Sequence, residues 1–377
     1  MTAKTSKVPS SRTNRTRTYA RATATAAAAA VLALTGTAAH AAGTAAPVSG
    51  TEGTVTVGRS QAQPLVSPDG TTAYVVVTGA GNAVQVKAVD TRSDAVTRQV
   101  TLGTTQLGLV AGLAPDGTRL YVANGQQLTV LDTATLAVLT TTALPDQPRP
   151  AGWTPGTLTG LTVSPDGATA YVVQNGPTTY RQYGQGRVVA FATAQQAFTG
   201  SVQVPGSFTG TAAFRPGGHD LYVGGDAGVF HVGTAGATPT LVGTVAGTAG
   251  ALDYYPVFTP DGTRLFAVAA GSKGGQADVI DPAGDTVTRH LALVSGFADL
   301  RAPQVSPDGT RLYLAKNDFT AGPSVLSVDT ASGSAVAAET VSPDEDQLDG
   351  LAVGPDGHTL YVTGTIGTNG TLQIIAN

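Results

Sequence analysis

Short runs of alternating apolar and polar residues recur from about residue 54 to the end of the chain, each too short for a helix. A typical unit reads Gly160-Leu161-Thr162-Val163-Ser164, then Pro165-Asp166-Gly167, then Ala170-Tyr171-Val172. Pro-Asp-Gly returns at Pro68, Pro115, Pro165, Pro260, Pro307 and Pro355, and Pro216 opens a Pro-Gly-Gly copy, a mean spacing of about 48 residues. An aromatic run follows each one, in register: Tyr74, Tyr121, Tyr171, Tyr222, Phe266, Tyr313 and Tyr361. In such a turn Pro sets φ at the first corner, Asp accepts local hydrogen bonds and Gly takes the left-handed position. The flanking runs therefore form a hairpin. A third run ends in Asp at Asp90, Asp132, Asp281 and Asp329, and a fourth follows, as at Val96–Leu102.

Four strands in about 45 residues make a propeller blade. The spacing predicts an all-β fold, a seven-bladed β-propeller of four-stranded antiparallel blades over residues 50–377. The last unit ends after a third strand near 371–376, while Thr54–Gly58 belongs to no unit. Strand 54–58 is therefore expected to complete the last blade, closing the ring and covering its open edge. No helical period is present after residue 50.

The run Leu120-Tyr121-Val122-Ala123-Asn124, with Val130-Leu131-Asp132-Thr133 and Val163-Ser164-Pro165-Asp166-Gly167, resembles the Tyr-Val-Thr-Asn (YVTN) repeat family. The resemblance covers about 50–377. Blades 3 and 4 depart from it, with Ala192 and Gly233 in place of the third-strand Asp and Gly217 after Pro216. It implies a seven-bladed propeller of the surface-layer-like and secreted microbial type. The wider group is similar to lactonases and to quinoprotein dehydrogenase heavy chains. The repeat residues themselves name no activity.

Before the repeats the pattern changes. Lys4, Lys7, Arg12, Arg15, Arg17 and Arg21 precede an uncharged Ala-rich stretch over 22–39, then Ala39-His40-Ala41. That order predicts a secretory signal over 1–41 and a flexible leader over 42–49. The Ala-rich stretch is too short and too weakly apolar for a membrane span. The expected protein is secreted, extracellular or associated with the cell wall. Its removal leaves 15 basic against 25 acidic residues, a net charge of −10. That balance disfavours nucleic acid as a partner. With no Cys in the chain, disulfide scaffolds, thiolate metal sites and Cys nucleophiles are excluded. His219, His231, His290 and His358 occupy different repeat positions, so no metal and no cofactor is expected.

The turn Asp residues (Asp69, Asp116, Asp166, Asp261, Asp308 and Asp356) are expected to be structural and to stand well apart on one rim. The opposite face should carry function. Counting six residues back from each turn Pro gives Ala62, Leu109, Thr159, Gly210, Tyr254, Arg301 and Asp349 around the channel mouth. Tyr255, Asp253, Asp299 and Asp346 lie beside them. Arg301 could hold an anion, while Asp349 or Asp253 could act as a base, so Arg301, Asp349 and Asp253 are the catalytic candidates. An Arg301–Asp349 pair that only closes the channel is the structural alternative.

Long loops 145–156 and 174–187 bring Trp153, Arg149, Tyr180, Arg181, Tyr183 and Arg187 to the same face. Aromatics with Arg suit a protein or glycan surface. The leading expectation is an extracellular binding or scaffold module for a cell-surface polymer, a protein or a small molecule, acting as a monomer. The alternative is a lactonase-like hydrolase at the channel mouth. There is no Gly-x-Ser-x-Gly elbow and no P-loop.

Overall fold

The structure, a computed structural model, describes residues 51–60, 62–106, 108–248, 254–271, 274–296 and 298–376. The expected signal and leader fall outside these residues. No α-helix is present among the described residues, and none of their helices is long and apolar enough to cross a membrane.

Among the described residues seven antiparallel blade sheets follow one another along the chain, with one small two-stranded hairpin beside them. Blade 3 shows the plan: Leu158–Val163 innermost, then Thr169–Gln174, Arg187–Ala192 and Ala197–Gln203. In Leu158–Val163, buried Leu158, Gly160 and Val163 interleave with partly exposed residues, so a strand packs on both neighbours. The inner strands contact each other around the ring, Leu109–Leu113 beside Leu158–Val163 and that beside Thr209–Phe214.

The ring closes as expected. Thr51–Thr56 pairs with the C-terminal strand Asn369–Ala376, with Thr54 opposite Gln373, Val55 opposite Leu372 and Thr56 opposite Thr371. The strand lies slightly earlier than 54–58. A hydrogen bond from Val57 N to Gly370 O, 2.9 Å, carries the contact onward.

Two blades vary the plan. In blade 1 the innermost strand is two pieces, Arg59–Ser60 and Leu65–Val66, both paired with Thr72–Thr78. Pro64 lies in the break and has no N–H to donate. In blade 6, three strands pair regularly: Ala298–Val305, Arg311–Asp318 and Gly322–Asp329. Segment 335–341 takes the outer place through single bridges, Val328 to Ala335 and Val325 to Val341. It bends through a short 3-10 turn, Ala337–Glu339, which lets Glu339 grip Arg311 Nε at 2.6 Å and Nη2 at 2.9 Å.

The core consists of slabs between blades, each built from two consecutive blades. One joins Val55, Tyr361 and Ile374 of the last blade to Ala73, Val75 and Val77 of the first. The aromatic of each repeat is buried in these slabs. Its hydroxyl, where present, can reach onward: Tyr222 of blade 4 donates to Pro282 O of blade 5 at 3.2 Å.

The turns are built as their chemistry predicts. Asp261 accepts from Thr259 Oγ1 at 2.6 Å and Thr263 N at 3.0 Å, and these bonds hold its carboxyl down at about 2. Gly117 sits at φ 72°, as the turn requires. The turns are not well apart: a Cβ on Gly117 would lie 2.6 Å from Pro68 Cδ of the preceding blade. Close packing of the inner strands brings most turns against a neighbour, as Gly70 against Pro355 and Gly357 against Pro307, while Gly217 faces open space. The repeat departures leave the third-strand lock in place. Thr193 Oγ1 still donates to Gly167 O at 2.9 Å despite Ala192, and Thr234 Oγ1 to His219 O at 2.7 Å despite Gly233.

Candidate functional site

Inner strands run toward the Pro-Asp-Gly turns, so the connections between blades and between second and third strands gather on the other face, here called the top. The channel through the ring has a cavity of about 660 Å³. All seven blades line it, including Ala62, Leu109, Thr159, Tyr255, Arg301 and Asp349. Counting back from the turn Pro thus placed five of the six positions with described side chains on the cavity wall. In blade 4 the wall starts at Thr211, because a bulge between Thr209 and Ala212 shifts the register. In blade 5 Tyr255 lies on it. Asp253 lies outside the described residues, as does the side chain of Tyr254.

Most of the wall is apolar or neutral, with Val110, Leu161, Phe214, Val257 and Phe258. The charged edge does not form the Arg301–Asp349 pair that was the structural alternative. Arg301 is ion-paired with Asp299, two residues away on the same strand. Asp349 makes no direct ion pair with it among the described residues: Gln347 reaches its Oδ1 at 3.5 Å, and its buried Oδ2 has no hydrogen-bond partner. Burial pushes the Asp349 carboxyl up, against the pull of Arg301 and Arg59. Asp346 is tied up structurally, its Oδ2 accepting from Gly367 N at 2.6 Å.

The two long loops meet each other. Thr154 and Thr178 form an isolated antiparallel bridge, with N···O distances of 2.8 and 2.9 Å. Loop 145–156 is fixed from below by Arg187, only 3 % exposed. Its guanidinium donates to Pro145 O at 2.7 Å, Asp146 O at 3.1 Å and Gln174 Oε1 at 2.8 Å. Burial lowers its pKa, and the charge of Asp146 opposes that shift. Gln147, also buried, donates to Asn175 O and accepts from Gly156 N, both at 2.8 Å. Arg149 reaches Asp146 Oδ1 at 2.5 Å and Trp153 O at 3.1 Å, and Trp153 is half-buried. This loop folds largely on itself and serves as a support.

The second loop carries a small hairpin, Thr178–Thr179 with Gln182–Tyr183. Arg181 at its tip adopts φ 63°, which turns the chain, and its guanidinium carbon lies 5.0 Å from the Tyr180 ring centre. Tyr180 is 82 % exposed and Tyr183 52 %. Tyr183 packs against Phe208, itself 42 % exposed, with ring centres 5.0 Å apart. Phe208 stands at the entry to the inner strand of blade 4. Its signal in the sequence was an aromatic directly after the turn-like Pro205-Gly206-Ser207, where nothing local could bury it.

No protein-family model matches the chain, and no curated protein sequence does. Among solved structures it is similar to a chain of Kuenenia stuttgartiensis hydrazine synthase, with a TM-score of 0.66 at 18 % identity. The match covers 88 % of this chain and 99 % of that one. At that identity the likeness is one of fold, and it agrees with the propeller. The Tyr-Val-Thr-Asn repeat family remains a resemblance carried by the residues quoted above.

Proposed function

We propose that this protein is a secreted binding module whose top face holds a polysaccharide of a cell surface. The observation that carries this reading is the group of solvent-facing rings, Tyr180, Tyr183 and Phe208, on a braced hairpin beside the channel. Exposed aromatic surface is costly to keep in water, and on a rigid scaffold it marks contact sites. The rings are interleaved with Thr178, Thr179, Gln182, Gln185 and Ser207. Hydroxyls and amides suit the hydroxyl groups of a sugar, and flat rings suit its apolar C–H faces. A protein interface would more often bring a larger dry centre.

The hydrolase reading gains no comparable support. Arg301 is already neutralised by Asp299, and Asp349 has only a 3.5 Å contact from Gln347 to orient it among the described residues. The Ala39-His40-Ala41 site supports export, and the resemblance to secreted surface proteins points the same way.

The test is native affinity electrophoresis of the exported protein through gels containing individual cell-wall polysaccharides. Retardation by at least one neutral or acidic polysaccharide is expected. Unchanged mobility in every gel would overturn the reading. N-terminal sequencing of the exported protein should begin at Ala42.

A further inference from the structure

The ring is closed by non-covalent pairing of the two ends of the described chain, and one buried carboxyl sits at that joint. Glu345 lies just before the inner strand Gln347–Val353 of blade 7 and is 3 % exposed. Its Oε1 is 3.2 Å from Thr371 Oγ1, and its Oε2 is buried without a hydrogen-bond partner. Thr371 is opposite Thr56 of the N-terminal strand, and Gln373 is opposite Thr54. Gln373 belongs to the same cluster: its Oε1 accepts from Asp344 N at 3.1 Å, and its buried Nε2 has no partner.

The hydrogen-bond count at Thr371 is decisive. Its hydroxyl has one proton but two acceptors in reach, Glu345 Oε1 and Gly364 O at 3.3 Å. An ionised Glu345 takes that proton on Oε1 and keeps its charged, buried Oε2 without a donor. A Glu345 protonated on Oε1 donates to Thr371 Oγ1, which then donates to Gly364 O, so both hydroxyl protons find an acceptor.

We propose that Glu345 is a proton-operated latch on the ring closure, tightening the joint between the terminal strands when protonated and loosening it when ionised.

The surroundings favour the protonated form. Asp344 and Asp349, on its own segment, both repel a charge on Glu345. The flanking strands Thr359–Ile366 and Asn369–Ala376 contribute no Lys, Arg or carboxylate. The adjoining strand Arg59–Ser60 brings Arg59, whose pull falls on Asp349, and Asp346 is held by Gly367 N. From blade 6, Asn317 contacts this segment, bonded to Leu348 N and O, while Lys316 and Asp318 pair with each other at 3.4 Å. No cation of these strands is therefore bonded to Glu345. Burial pushes its carboxyl up to about 7 from 4.5. A pKa raised in the folded state gives stability that is full below about 4.5 and lost as pH rises to about 7.

The test compares full-length wild type with Glu345→Gln, which keeps the shape but cannot ionise. Tm is read from pH 4.5 to 8.5, and amide hydrogen exchange is followed in the terminal strands and in blade 3. The Tm of wild type relative to the variant should fall by a few degrees between pH 4.5 and 7 and stay level above. Exchange in 51–56 and 369–376, corrected for intrinsic rate, should quicken over the same range in wild type only, with blade 3 unchanged. Parallel Tm profiles for the two proteins would overturn the latch. So would a pH effect spread equally over all blades. If Glu345→Gln fails to fold, Thr371→Val serves: it removes the hydroxyl relay and should change the wild-type pH profile, and an unchanged profile would count against the proposal.

Discussion

Arg187→Met is the sharpest structural perturbation of the top face. Arg187 joins blade 3 to the start of loop 145–156 through bonds donated to Pro145 O and Asp146 O, and it donates a third to Gln174 Oε1 of its own blade. Bonds from a charged donor contribute about 1.5–3 kcal/mol each, so about 4.5–9 kcal/mol of gross interaction is removed. Burying a guanidinium itself costs several kcal/mol, and Met fills a similar volume, which returns a good part of that. The expected net loss is about 3 kcal/mol, read as a lower midpoint with unchanged slope in urea unfolding. Arg187→Lys keeps the charge but cannot fork across three acceptors, so it should restore only part of the loss. Loop 145–156 should also become a protease-sensitive site under native conditions, because its supports at Pro145 and Asp146 are gone. A loss below about 1 kcal/mol with no new cleavage in 145–156 would refute the reasoning. It would mean that Gln147 and the Thr154–Thr178 bridge hold the loop unaided.

Three further outcomes are expected. Gly217→Ala places a side chain at φ 70° in open space and should cost about 1 kcal/mol, whereas Gly117→Ala also drives its Cβ to 2.6 Å from Pro68; thermal melts should rank Gly117→Ala clearly as the more damaging. Deleting residues 51–57 removes a whole strand and buried Val55 and Val57, exposing the edge of Asn369–Ala376; size-exclusion chromatography should find unfolded or associated material in place of the wild-type peak. In acid the turn carboxylates act opposite to Glu345. Asp261, held at about 2, supplies stability that is full above 3.8 and lost as pH falls toward 2, so Asp261→Asn should flatten the acid limb of a Tm–pH curve and leave the limb above pH 4.5 unchanged.

The architecture was legible because its determinants are local and repeated. Pro-Asp-Gly fixes a turn, alternation fixes two faces, and spacing fixes the number of blades. The orphan run at Thr54–Gly58 announced the closure because a three-strand final unit needed a partner. Counting from the turn Pro put Arg301 and Asp349 on the channel wall, since strand geometry carries register over six residues. It failed at blade 4, where a bulge intervenes, and it could not foresee that Asp299 would take Arg301. Arg187 and Glu345 were hidden for another reason. Arg187 finds Pro145, 42 positions earlier, and Glu345 finds Thr371, 26 positions later. Contacts between segments so far apart leave no trace in local pattern. Blade 6 behaves similarly, because its outer segment is set by Glu339 reaching back to Arg311.

The central claim is that an aromatic ridge on a braced top face does the binding. The most direct measurement is the mobility of Tyr180→Ala/Tyr183→Ala/Phe208→Ala in a gel containing the polysaccharide that retards wild type. The three rings are exposed, so the variant should keep the wild-type Tm to within a degree or two. Truncating exposed anchor rings of this kind costs on the order of 1–2 kcal/mol each, and the joint loss should raise Kd at least tenfold and abolish retardation. Full retardation of a folded triple variant would contradict the account and move the binding surface elsewhere on the ring.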